Sequence, residues 1–375
     1  MQVIARGIRG WIGLLGLLLA LGLASTSAWA ARSGEFVTPH TRYWIDPQGQ
    51  ATIDEVLRLP PDALQAMERP RSFEIDRGAL WLRYEVPALD AARRWSLVLE
   101  GGAFTNRATL YAPGVGGAWQ VQDAGDHLPV AQWTHPARMP VFTLDGAAGT
   151  AVWLRLENHP APLSPSLRLQ DAQDLQMSRD RSQLWLGVYL GFGLLVLFLG
   201  WVHVRLYGDR VFIAYVAYVT CMLGFQIAFT GLGGLFFWPT LPRWNDAAPA
   251  LFMLWLTAAG IWFVREVSAL SRHSRLLYRF ATAWSLFGFL FPIGYFLLLS
   301  PAAFKLLNLY GLLSVLLSFG LCIWAWRKGE TYAGWIALGF LPLHLAYPFP
   351  ALRSAGVLAD SWATQYAVLI GSAME

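Results

Sequence analysis

In the second half of this chain, seven long stretches contain no Lys, Arg, Asp or Glu: Ser182–Val204, Val211–Pro242, Ala247–Val264, Phe280–Phe304, Leu306–Trp326, Thr331–Leu352 and Ser361–Met374. No other feature restricts the fold as much. Crossing the ~30 Å hydrocarbon core of a bilayer takes about 20 apolar residues in a helix. Lipid leaves backbone polar groups no partner outside their own segment, so runs of this length are helices. The first six runs are long enough to span. Pro239 and Pro242 are expected to end the second, and Ser300-Pro301 to turn the chain between the fourth and fifth. Ser361–Met374 is too short and meets Glu375. A carboxylate at mid-bilayer is costly, so the expectation is a chain cut within a seventh helix.

Charge is distributed to match. Only 14% of the residues are charged, against roughly 25% in a soluble domain. Asp and Glu outnumber Lys and Arg in 31–180, and the reverse holds in 181–375. The net +4 therefore reflects basic membrane loops, and no nucleic-acid partner is expected. Arg205, Arg210, Arg265, Arg272, Arg275, Arg279, Arg327 and Lys328 flank one set of helix ends; only Arg243, Lys305 and Arg353 flank the other. Basic loops stay on the cytoplasmic side, which places the N-terminal part outside. Its leader agrees. Arg6 and Arg9 precede the apolar run Trp11–Leu23, and Ala28-Trp29-Ala30 follows. This is the pattern of a secretory signal peptide over 1–30, cleaved after Ala30.

The exported segment, 31–180, reads as β-rich. Alternating runs at Leu80–Val86, Trp95–Glu100, Ala108–Ala112, Val141–Leu144 and Val152–Glu157 are separated by turn residues such as Gly101-Gly102 and Asp145-Gly146. Short strands with regular turns indicate a sandwich or jelly roll. The two cysteines, Cys221 and Cys322, both lie in apolar runs, so no disulfide supports this domain. Thr52 and Glu55 have capping-box spacing for a short helix over Thr52–Leu59.

Two strands repeat the pattern W-L-R-x-E: Trp81, Arg83 and Glu85, then Trp153, Arg155 and Glu157. Alternate strand residues share a face, so Leu80, Leu82, Tyr84, Val152, Leu154 and Leu156 point into the core. The Trp, Arg and Glu side chains lie opposite. An aromatic plate beside a guanidinium and a carboxylate can bind a polar ligand such as a sugar or organic acid. It can equally form a self-satisfied ladder, with Arg paired to Glu and packed on Trp. Trp119, Trp133, His135 and Arg138 fall in expected loops and form a second candidate ligand surface or a closure of the sandwich. Within the membrane, His344 in the sixth run is a candidate by default, with Gln226 in the second and Asn308 in the fifth as candidate partners; packing hydrogen bonds are the alternative.

The order of these segments resembles the bacterial seven-transmembrane receptors with diverse intracellular signalling modules (7TMR-DISM), with that family's second type of extracellular domain. The residues carrying the resemblance are Tyr43-Trp44-Ile45-Asp46-Pro47, Ile53-Asp54-Glu55-Val56, Ala79-Leu80-Trp81-Leu82-Arg83, Thr109-Leu110-Tyr111, Arg138-Met139-Pro140-Val141-Phe142 and Val152-Trp153-Leu154-Arg155-Leu156. Val188-Tyr189-Leu190-Gly191 in the first helix and Leu369–Glu375 in the seventh add to it. The resemblance implies an exported all-β jelly-roll or sandwich domain, 31–180, followed by an α-helical seven-transmembrane bundle, 181–375, with its seventh helix incomplete. It implies a sensor in the bacterial inner membrane that binds a small, carbohydrate-like periplasmic ligand. It further implies a cytoplasmic output domain or protein of diguanylate cyclase, histidine kinase or phosphatase type. A homodimer is compatible with this design.

No catalytic constellation is present. H-E-x-x-H, G-x-S-x-G and P-loop patterns are missing, as is a cysteine cluster. The seven histidines have no helical ligand spacing, so neither a metal, a cofactor nor enzymatic activity is expected. Two other classes remain: a transporter or channel with an exported cap, and an assembly protein that docks a partner.

Overall fold

A computed structural model describes residues 35–67, 71–90, 92–100, 102–114, 117–354, 364 and 366–374. The leader and its cleavage site lie outside the described residues, as do Asp360 and Glu375.

The N-terminal part is a two-sheet antiparallel sandwich. Its strands are β1 (Glu35–Phe36), β2 (Thr41–Asp46), β3 (Gln65–Ala66), β4 (Ala79–Glu85), β5 (Trp95–Glu100), β6 (Arg107–Pro113), β7 (Trp119–Ala124), β8 (Val141–Thr143), β9 (Ala151–Glu157) and β10 (Ser166–Asp171). One sheet has the order β1-β10-β5-β8 and the other β3-β2-β4-β9-β6-β7. The alternation expected for β4 and β9 holds. Leu80, Leu82, Tyr84, Val152, Leu154 and Leu156 fill the core between the sheets with Leu97, Leu99, Leu110, Phe142 and Leu167.

A second, smaller core covers the outer face of the larger sheet. Helix α1 (Ile53–Leu57) starts where Thr52 and Glu55 predict: the Glu55 carboxylate accepts from the Thr52 amide at 2.8 Å and its hydroxyl at 2.9 Å. Val56 of α1 packs on Trp81 and Trp153, with Trp44, Tyr111 and Trp119 around them.

Among the described residues, the helices that follow include α2 (Ala172–Tyr207), α3 (Arg210–Phe229), α4 (Pro242–Val267), α5 (Arg275–Leu298), α6 (Pro301–Arg327), α7 (Thr331–Ala346) and α8 (Ala367–Met374). Five of them, α2 to α6, are long and apolar enough to cross a membrane. Asp171 ends β10 and caps α2, accepting from the Asp174 amide at 2.8 Å and pairing with Arg93 at 2.7 Å. Strand therefore passes into helix without a linker, and the boundary expected after Asp180 falls inside α2.

Two apolar runs are not single helices. The run Val211–Pro242 breaks at Gly231, well before its prolines, because that residue takes φ +75°, a conformation that favours glycine. A π-helical turn, Gly233–Phe237, follows. The run Thr331–Leu352 yields the 16-residue α7 and then a short helical turn, Phe349–Ser354. Pro348 and Pro350 lack the amide hydrogens that a continuous helix needs.

Candidate functional site

The sandwich sits on the bundle through several specific contacts. Arg138, in the loop before β8, donates from Nη1 to the Thr230 carbonyl at 3.1 Å and from Nη2 to Ser182 Oγ at 2.6 Å. The Ala131 amide donates to the Pro239 carbonyl at 3.2 Å. Phe104 stacks on Phe229 with ring centroids 5.5 Å apart. His159 Nε2 lies 2.7 Å from the Leu299 carbonyl, and Lys305 pairs with Glu74 at 3.0 Å. All of these bundle groups belong to the helix ends that carry few basic residues.

A cavity of about 640 Å³ opens at this junction and continues into the bundle. The sandwich supplies Arg71, Phe104, Asn106, Asn158 and His159 as its polar-rich upper wall. The lower wall is mostly aromatic and aliphatic: Tyr218 and Phe225 of α3, Met253 and Leu256 of α4, Tyr295 of α5, Leu307 and Leu312 of α6, and Phe340 and Leu343 of α7. At the deep end, His344 Nε2 lies 3.1 Å from Ser318 Oγ. Its Nδ1 is buried without a hydrogen-bond partner. Val368 of α8 also lines the cavity.

The intramembrane polar residues separate into two groups. Asn308 lines the same cavity as His344, but its amide donates to the Phe304 carbonyl of its own helix at 2.9 Å. Gln226 is buried and lies elsewhere. Its Nε2 donates to Ser372 Oγ at 3.3 Å, and Tyr189 Oη lies 3.0 Å from the same hydroxyl. The expected pairing of Gln226 with His344 is thus replaced by a cluster that ties α8 to α2 and α3. Gly371 allows α8 to approach α7, since a Cβ there would lie 2.9 Å from the Pro342 carbonyl oxygen.

The candidate residues on the sandwich are arranged differently from an open ligand face. Trp81 is 0% exposed and Trp153 is 4% exposed, because α1 covers the sheet face they occupy. Register places Trp81 opposite Arg155 and Arg83 opposite Trp153. Each guanidinium lies over the facing indole, at 6.0 and 5.9 Å. Arg83 pairs with Glu85 at 3.0 Å, Arg155 pairs with Glu157, and Arg155 Nη2 donates to the Gly49 carbonyl at 2.6 Å. This is the cross-strand ladder, with its ion pairs running along each strand, while Trp81 Nε1 is buried with no hydrogen-bond partner. Trp119 opens β7 and, half-buried, packs against the cluster of Val56, Trp81 and Trp153. Trp133 is buried in the main core, where its Nε1 donates to the Gly125 carbonyl at 3.0 Å. Arg138 is committed to docking.

One cluster escaped the sequence reading. Asp126 and His127, in the turn after β7, meet Asp246 from the first turns of α4, with ligand atoms all within 4.8 Å of one another. Asn106 Nδ2 donates to Asp126 Oδ1 at 3.2 Å and to Asp246 Oδ1 at 3.3 Å. Burial, with the Asp246 charge second, pushes the Asp126 carboxyl up to about 7. The hydrogen bond to Asp246 raises the His127 imidazole despite partial burial. Asn106 and Asp246 are 140 residues apart in sequence, so no local motif could reveal the group.

A β-sandwich docked on an apolar helix bundle, with one cavity walled by both, is the build of a multi-pass membrane sensor with an extracellular domain. Residues 182–375 match the family model described as 7TM diverse intracellular signalling. Residues 38–171 match the model described as 7TMR-DISM extracellular 2. The chain belongs to the 7TMR-DISM family. No curated protein matches it.

Proposed function

We propose that this receptor resides in the bacterial inner membrane with its sandwich in the periplasm. Its signal is the occupancy of the junction cavity by a small amphipathic molecule. The carrying observation is that one cavity is lined by the sandwich, by α3 to α7 and by Val368 of α8. A ligand there touches the sensor domain and the last helix at once, so its affinity depends on how they are arranged. Differential affinity for two arrangements is what signalling requires. The apolar lower wall suits a hydrocarbon or aromatic body, and the Asn106, Asn158 and His159 rim suits a polar end. A carbohydrate would need aromatic plates open to solvent, and Trp81, Trp133 and Trp153 are buried. The change at α8 would then pass to a cytoplasmic output of diguanylate cyclase or histidine kinase type.

Native mass spectrometry of the chain in nanodiscs, compared with Met253→Trp and Leu256→Trp, tests the reading. A small molecule carried by the wild type and lost from the filled cavities supports it. A ligand bound equally by all three proteins refutes the cavity as its site. With α8 extended by apolar residues to a full span and a diguanylate cyclase fused after it as reporter, the filled variants should hold output at one level whatever ligand is added.

A further inference from the structure

Asp126 is 0% exposed. Its Oδ1 receives the Asn106 amide, while its Oδ2 is buried with no hydrogen-bond partner. Asp246 approaches from the other domain and shares the same amide. Among the described residues, neither carboxylate pairs with Lys or Arg; besides the Asn106 amide, Asp246 meets His127, whose Nε2 lies 3.7 Å from its Oδ2. Two carboxylates facing each other in a partly dehydrated seam repel, and burial raises that cost. Yet the seam is where the sandwich and the bundle must adhere.

We infer that Asp126, His127 and Asp246 form a divalent transition-metal site that fastens the sandwich to the bundle. Two carboxylate oxygens and one imidazole nitrogen are a donor set for Zn²⁺, with Mn²⁺ next; Ca²⁺ and Mg²⁺ prefer all-oxygen sites. Tetrahedral zinc with bonds near 2 Å holds its ligand atoms roughly 3.3 Å apart. The ligand atoms all lie within 4.8 Å of one another, with His127 Nε2 already 3.7 Å from Asp246 Oδ2, so small side-chain movements would close the site. Water would complete the coordination. Asn106 donates to both carboxylates and so orients them, as outer partners of metal ligands commonly do. The ion would cancel the two negative charges and bond to both domains at once. The extracellular concentration of such an ion would thereby set how firmly the sensor is docked. The cluster borders the junction cavity, which Asn106 and Asp246 also line, but the metal needs no ligand in that cavity.

The test uses the full chain in nanodiscs with a histidine-free tag, stripped with EDTA and then titrated with Zn²⁺, Mn²⁺ and Ca²⁺. The expected result is one tightly held Zn²⁺ per chain by elemental analysis and a higher unfolding midpoint. His127→Gln, whose side chain is exposed and whose fold is therefore spared, should weaken Zn²⁺ binding at least about tenfold, as should Asp246→Asn. Asp126→Asn removes the buried charge without changing shape and should fold yet bind no Zn²⁺. His135→Gln should bind as wild type. Met253→Trp, which fills the cavity, should retain Zn²⁺ binding, so the two proposals fail separately. Absence of saturable Zn²⁺ binding by the folded wild type overturns the inference, as does binding unchanged in His127→Gln and Asp246→Asn.

Discussion

Docking leaves no room for a side chain at Gly231. It holds φ +75°, and a Cβ built there would lie 2.2 Å from the Arg138 carbonyl oxygen and 3.0 Å from its carbon. Both contacts are backbone, so no side-chain rotation relieves them. Gly231→Ala first incurs the left-handed penalty of about 1 kcal/mol. The segments must then separate by roughly 1 Å to restore an ordinary van der Waals contact. That movement strains the hydrogen bond from Arg138 to Thr230 and the one from Ala131 to Pro239. A charge-assisted bond contributes about 1.5–3 kcal/mol and a neutral one about 0.5–1.5. Docking should weaken by about 3–5 kcal/mol in all. Hydrogen exchange on the chain in nanodiscs reads this directly. The Ala131 amide should exchange at least about a hundredfold faster, at 1.4 kcal/mol per factor of ten. Gly208→Ala is the matched control, because Gly208 has φ +62° and open space around its Cβ position. It should cost about 1 kcal/mol and leave Ala131 protected. Equal Ala131 exchange in wild type and Gly231→Ala would refute the reasoning, as would equal effects of the two substitutions.

Other consequences are separately measurable. Trp81→Ala empties the site beneath α1 and should cost about 3–5 kcal/mol in denaturant unfolding, with no change in the binding of added sugars. Asp171→Ala should cost about 1–2 kcal/mol through the lost α2 cap. The Asp171 carboxyl is held below its usual range, first by the Asp174 amide and then by Arg93. A carboxyl lowered on folding stabilises above its unfolded value and loses that contribution as pH falls, here from about pH 4 downward. Asp171→Asn should therefore flatten the acid limb of the stability profile. Gln226→Leu should loosen α8 by about 0.6–1.7 kcal/mol, measured by a double-mutant cycle with Ser372→Ala; a coupling near zero would detach Gln226 from that role.

Much of the architecture could be read from neighbouring residues. Uncharged runs marked the helices because lipid excludes charge over a fixed thickness. Alternation placed Leu80, Leu82 and Tyr84 inside because a strand's two faces follow a period of two. Thr52 and Glu55 announced α1 because a capping box closes within one turn. The same pattern could not say what lay over the outer face. Trp81 and Arg83 alternate identically whether that face meets solvent or a helix, and the arrival of α1 decided it.

The sequence by itself thus determined which segments form apolar helices and which faces of β4 and β9 are core. Each follows from hydrophobicity and charge over one or two turns of chain. Only the tertiary structure decided where the second apolar run breaks, since Gly231 is demanded by the carbonyl of Arg138 from another domain. Only it brought Asp126 and His127 to Asp246, and enclosed His344 in a cavity shared by the sandwich and the last helix. Those outcomes depend on surfaces meeting across long stretches of chain, which no local spacing records.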